Sequence, residues 1–203
     1  MGTKYIFGVA AILLIVAISG NHAQNGAPCH ASIFDFTPRH TLNITRYMGK
    51  WYVHEVAGSH IGNFPPPVYK CYTIDLSLPN PDDVLNIEGV DNFINLSDGE
   101  AIQFRNTFAV NDTRSPLSSM WTLTDEEGTN AQVIIMSADL EFQAWTIIYS
   151  CSHQGPDNYR YEILMAMTRT PNIPPDLRQF LKALMVGQGF RIGDHHSVNQ
   201  TEC

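Results

Sequence analysis

Apolar and polar residues alternate along most of the chain, and the period is two rather than 3.6. The clearest stretch is Ala101 to Val110. There Ile102, Phe104, Phe108 and Val110 alternate with Gln103, Arg105 and Thr107, and Asn106 alone interrupts the apolar row. Between Val68 and Leu76, the residues Val68, Tyr72, Ile74 and Leu76 fall on one face and Cys71, Thr73 and Asp75 on the other. Alternation of this length marks strands buried on one face only. Comparable stretches lie at about 49–58, 83–93, 118–124, 132–138, 144–151 and 159–169, which brings the number of strands to eight. The connections carry turn residues: Pro65–Pro67, Pro79-Asn-Pro81, Ser97-Asp-Gly99, Glu127-Gly128 and Gly155-Pro156. The pattern predicts an all-β fold, an eight-stranded antiparallel up-and-down β-barrel.

One segment departs from this period. Pro174, Pro175 and Asp176 form a helix start, Leu177, Phe180, Leu181 and Leu184 repeat at helical spacing, and Gly187 and Gly189 end the run. A C-terminal α-helix of about three turns is expected to pack its apolar stripe on the outside of the barrel.

The N-terminus changes the picture of where the protein works. Lys4 precedes an apolar run from Ile6 to Ile18, and small residues follow at Ser19, Gly20 and Ala23. This is the layout of a secretory signal peptide over residues 1–23. A run of about 13 apolar residues is too short for the ~20 that span a bilayer, so no membrane span is expected. Residues 24–203 then make a single extracellular domain. The formal net charge of −8, with no basic cluster, argues against nucleic acid as a partner.

Cysteine and asparagine agree with export. Cys29, Cys71, Cys151 and Cys203 are widely spaced and form no CxxC. Two disulfides are expected and no metal site, with three pairings open on sequence alone. Sequons at Asn43, Asn95, Asn111 and Asn199 predict a glycoprotein.

The segment Asn43-Ile-Thr-Arg-Tyr-Met-Gly-Lys-Trp-Tyr-Val-His-Glu-Val56 resembles the first motif of the lipocalin family, with Gly49 and Trp51 as its Gly-x-Trp. Tyr47 to Tyr52 is most similar to the apolipoprotein D and insect bilin-binding branch. Arg169, at the end of the last strand, matches the family's third motif, and the resemblance implies that it lies across Trp51 at the closed end of the barrel. Gly49, Trp51 and Arg169 are then structural residues. The second motif is altered: Leu140-Glu141-Phe142 is the best match, with Glu141 keeping the carboxylate and Phe142 lacking a hydroxyl. The resemblance further implies the pairs Cys29–Cys151 and Cys71–Cys203.

An eight-stranded barrel of this family encloses room for one small ligand. With Cys71 facing outward, Tyr72, Ile74 and Leu76 face inward. Steps of two back from Arg169 put Met167, Met165, Ile163 and Tyr161 on the same inner face, joined by Phe104 and Phe108. Such a lining suits a small apolar molecule. The expected function is that of a secreted carrier of a bilin, fatty acid, steroid or retinoid, with no cofactor required beyond such a bound bilin or lipid. A receptor or lipoprotein particle is a further candidate partner.

Haem binding is the alternative. His60 and His153, near strand ends, are the candidate axial ligands, while His54 alternates away from Trp51 and His195-His196 lies in the tail. Catalysis is not expected: no Gly-x-Ser-x-Gly, HExxH or phosphate loop occurs, and pairing of all four cysteines leaves no thiolate. The chain ends at Cys203 without an apolar tail, so a C-terminal lipid anchor is not expected either.

Overall fold

The computed structural model describes residues 42–58, 69–113, 117–154, 159–188 and 195–203. The expected signal peptide, Cys29 and His60 lie outside the described residues.

The chain enters through a single helical turn, α1 (Ile44–Tyr47), whose Asn43 cap accepts a hydrogen bond from the Arg46 amide at 3.1 Å. Eight strands follow: β1 (Gly49–Gly58), β2 (Tyr69–Ser77), β3 (Asn86–Asn95), β4 (Ala101–Val110), β5 (Met120–Asp125), β6 (Asn130–Ala138), β7 (Trp145–Gln154) and β8 (Tyr159–Thr168). Each is antiparallel to the next, and β1 pairs with both β8 and β2, so the sheet closes into an up-and-down barrel. The helix α2 (Pro175–Gly187) packs outside, and a short strand β9 (His195–Ser197) adds to β1.

Two apolar clusters divide the work. The first fills the barrel: Trp51, Val53, Val56, Ile74, Leu76, Ile87, Phe108, Trp121, Val133, Ile135, Ile148 and Met167 are all buried in it. The second lies between the wall and α2, where Leu181 and Met185 bury against Ile134, Ile147, Tyr149 and Leu164. Strands that serve both clusters must be apolar on both faces, which is why β6 and β7 read as continuous runs rather than clean alternation.

The strand β9 was not expected from the sequence, and it has a structural reason. β1 pairs with β2 only from Gly49 to Tyr52, after which the two strands part. The tail fills that seam. Ser197, His196 and His195 pair with Glu55, Val56 and Ala57. The Gln200 side chain then donates to the Val53 carbonyl of β1 at 2.7 Å and to the Tyr72 carbonyl of β2 at 2.8 Å. Backbone groups that the parted strands would leave unpaired are thereby satisfied. The Cys71–Cys203 disulfide, with Cα atoms 5.6 Å apart, ties the end of the tail to β2. Cys151 is also disulfide-bonded and buried.

Candidate functional site

The inner face of the barrel changes character from one end to the other. At the closed end, Trp51, Ile74, Leu76, Ile87, Phe108, Trp121 and Met167 are each less than 8% exposed. Toward the mouth, inward positions become accessible: Tyr72, Asp91, Phe93, Ile102, Leu123, Ile163 and Met165 are partly exposed, and Phe104 reaches 50%. Residues that point inward yet stay accessible border an open space. The inner face is therefore sealed at its base and accessible toward its mouth.

The plug is built around Arg169, which follows β8. Its guanidinium carbon lies 3.6 Å from the centroid of the Trp51 ring. Its nitrogens donate to the carbonyls of Phe142 (3.0 Å), Lys50 (2.9 Å), Tyr47 (2.9 Å) and Met48 (2.9 Å). These include carbonyls at the end of α1 that have no helical partner. Gly49 is required here: its φ is +102°, and a Cβ would sit 3.3 Å from Arg169 Nη1. Tyr47 packs at 5.1 Å from Trp51 and edge-on to Trp121 and Phe142, and its hydroxyl lies 3.1 Å from Thr146 Oγ1.

The altered second motif resolves differently from the sequence reading. Glu141 is exposed and pairs with Arg46. The carboxylate that organises the turn is Asp139, which accepts from the amides of Ala144 and Trp145 at 3.0 Å each, Gln143 at 3.0 Å and Glu141 at 3.2 Å. Burial works to raise this carboxyl, but the four N–H donors outweigh it and hold it below its usual value. Phe142 sits at φ +58° and contributes its ring and its carbonyl to the plug, so the missing hydroxyl leaves no gap there.

Register places the expected lining residues as follows. Trp51 faces Ile74 across β1 and β2, Phe108 faces Ile87 of β3, and Met165 and Met167 face Ile148 and Thr146 of β7. Tyr72, Phe104, Ile163 and Met165 lie on the accessible part of the inner face, whereas Ile74, Leu76, Phe108 and Met167 belong to the buried floor. Tyr161 pairs with Ser152 in β8 and β7; its side chain is outside the described residues.

Strict alternation fails at Cys71. A register shift between Lys70 and Thr73, with Cys71 at φ +59°, places Tyr69 and Tyr72 on the same inner face. Their rings meet edge-on at 5.5 Å, and Phe93 contacts both at 5.4 and 5.8 Å. Phe104 continues the row at 5.8 Å from Phe93. Below these rings sits a polar group that the sequence reading missed. Asp91 of β3 accepts from the Tyr72 hydroxyl at 2.9 Å and from the Asn106 amide. Burial pushes the Asp91 carboxyl up from 3.8 to about 6, against the lowering effect of those two donors. Tyr72 is raised too, first by burial and then by the Asp91 charge. The signal was Asn106, the lone polar residue in the apolar row of β4.

The wall also carries a cleft of about 310 Å3 where β5 ends, between Glu88 and Val90 of β3, Arg105 and Thr107 of β4 and Asp125 and Glu126.

Of the histidines considered for haem, His54 lies on the outer face, fully buried, with Nε2 3.2 Å from the Thr170 carbonyl. Burial lowers its pKa, opposed by the Thr170 hydrogen bond. His60 lies outside the described residues, as does the side chain of His153. Among the described residues no group of three or more His, Cys, Asp or Glu could hold a metal ion. No helix among them is long and apolar enough to cross a membrane.

The barrel has counterparts among solved structures. Lobster apocrustacyanin A1 matches with a TM-score of 0.58 at 17% identity, over 79% of this chain and 81% of that one. Apocrustacyanins C2 and C1 match with the same values. No family model matches the chain, and neither does any curated protein sequence.

Proposed function

We propose that the protein is an exported carrier, not an enzyme, that holds one small apolar molecule in the mouth half of its barrel. The observation that carries this reading is the gradient of accessibility along the inner face, from a sealed floor to an open aromatic and aliphatic wall. Tyr72, Phe104, Ile163 and Met165, with Tyr161 beside them in β8, form the wall of the proposed site; Ile74, Leu76, Phe108 and Met167 form its floor. A bilin, fatty acid, steroid or retinoid would gain ~25 cal/mol for each Å2 of apolar surface it buries. No chemical step is needed to explain binding of that kind.

Trp51 and Trp121 lie in the floor and serve as built-in reporters. Titration of the secreted protein with representatives of the four ligand classes should change tryptophan fluorescence saturably at one equivalent for at least one of them. Protein purified from its source, extracted and read by absorbance and mass spectrometry, should release that class. A flat titration with every class, together with an empty extract, would remove the carrier reading.

Export supplies its own set of proposals: cleavage after a leader within residues 1–23, a Cys29–Cys151 bridge and sugar on the sequons. Asn43, Asn111 and Asn199 are exposed, whereas Asn95 is partly buried and bonded to Ser97 and Asp98. Mass spectrometry of the secreted chain, with and without glycosidase, reads all three.

A further inference from the structure

We propose that the barrel prefers apolar amines: the ammonium group of the ligand pairs with Asp91, and its hydrocarbon body lies against Tyr69, Tyr72, Phe93 and Phe104. This rests on the carrier reading and names the ligand class of the same site.

The inner face carries an imbalance of charge. Asp91 stands on the inner face of β3, opposite Ile74 of β2 and Phe104 of β4. Its hydrogen-bond partners, the Tyr72 hydroxyl and the Asn106 amide, are neutral. They orient the carboxylate without cancelling its charge. Among the described residues no lysine or arginine pairs with it; those that form ion pairs go to Glu141, Asp75 and Glu55. A carboxylate in apolar surroundings without a cation is costly unless something neutralises it. Asp91 stands on the inner face and is only partly buried, so the missing charge can arrive with the ligand.

The surroundings select the form of that charge. Aromatic faces attract cations through the ring quadrupole, and four rings in serial contact line the approach to Asp91. An ammonium on a hydrocarbon chain satisfies both features. A fatty-acid carboxylate placed at the same point meets a like charge, and an alcohol offers a hydrogen bond without neutralisation. With its carboxyl raised only to about 6, Asp91 remains mostly ionised at neutral pH and can act in this way.

The test compares decylamine, decanol and decanoate, below their micellar concentrations, by calorimetric titration of the full secreted protein at pH 7.5. The amine should bind at least tenfold tighter than the alcohol, and the acid weakest. In Asp91→Asn the amine's advantage over the alcohol should fall to twofold or less. Equal or tighter binding of decanol or decanoate by the natural chain overturns the proposal while leaving the carrier reading in place. An undiminished amine preference in Asp91→Asn overturns it as well, because the headgroup then sits elsewhere. Should that variant fail to fold, the natural chain at pH 5 replaces it. Asp91, whose polar partners among the described residues are Tyr72 and Asn106, is then mostly protonated, and the amine-to-alcohol ratio should shrink at least fivefold; an unchanged ratio counts against the proposal. If none of the three ligands binds, this inference fails, while the carrier reading stands or falls with the titration of the four ligand classes and the extract.

Discussion

Arg169 covers Trp51 and at the same time collects the carbonyls that end α1: the guanidinium stacks at 3.6 Å on the indole while its edge donates to Lys50, Tyr47, Met48 and Phe142. A planar fork can do both, and a point charge cannot. Arg169→Lys should therefore cost about 2–4 kcal/mol, since several carbonyls lose a charged donor at once. Arg46→Lys is the control. Its partner Glu141 is exposed, so that change should stay within about 0.5 kcal/mol. Chemical denaturation of the two variants checks the contrast, and similar costs for both would contradict it.

A second arginine holds the helix to the barrel. Glu55 is completely buried on the outer face of β1 and receives Arg178 Nη1 at 2.6 Å, Ser197 Oγ at 2.9 Å and Lys182 Nζ at 3.4 Å. Arg178→Met removes its best-placed cation and should destabilise by about 2–4 kcal/mol, with Lys182 limiting the loss. Replacing both partners, Glu55→Leu with Arg178→Met, should cost less than Arg178→Met alone, because no buried charge is then left behind. Denaturation midpoints of the single and double variants decide this.

Asp91 makes stability depend on pH in a defined direction. Its folded-state carboxyl is raised from 3.8 to about 6, so between those values the folded protein binds more protons than the unfolded chain. Stability from this group is therefore greatest below pH 4 and declines as pH rises through 6, by about 3 kcal/mol in total. Asp91→Asn should abolish that decline and raise stability at pH 7.5. A pH series of melting temperatures for both proteins tests the sign; a less stable Asn variant at pH 7.5 would refute it.

Gly89 lies on the inner face between Leu76 and Asn106. A Cβ there would come within 2.5 Å of Cε2 of the buried Phe108 ring, which packs on Trp121 at 5.8 Å. Gly89→Ala must push that ring into a filled core, at about 1–3 kcal/mol. The near-ultraviolet circular dichroism of Trp121 should change with it. An unaltered spectrum and midpoint would show that Phe108 moves freely.

Much of the barrel was legible in the chain because its cause is local. Alternation is a property of each strand, and Ala101–Val110 announces its own inner and outer faces without reference to its neighbours. The α2 stripe of Leu177, Leu181 and Leu184 is local in the same sense, although Phe180, assigned to that stripe, is 45% exposed and meets Trp145 edge-on at the rim. The Gly49, Trp51 and Arg169 motif carried the closed end because each residue has a steric or electronic property that few others share.

What the sequence determined by itself was the period, the eight strands of the barrel, the helix, and the apolar character of the inner face. Only the tertiary structure decided which inner residues are floor and which border open space, because that depends on where the plug of Tyr47, Trp51, Trp121 and Phe142 stops. It also decided the site's polarity. Asp91, Tyr72 and Asn106 belong to three strands, and their meeting depends on registers set by a bulge at Cys71 and by the turn between β2 and β3. A shift of one residue in either would turn the carboxylate out to water. The seam closed by Gln200 and β9 follows the same rule: strands part or pair according to the geometry of a closed sheet, and no segment carries that information alone.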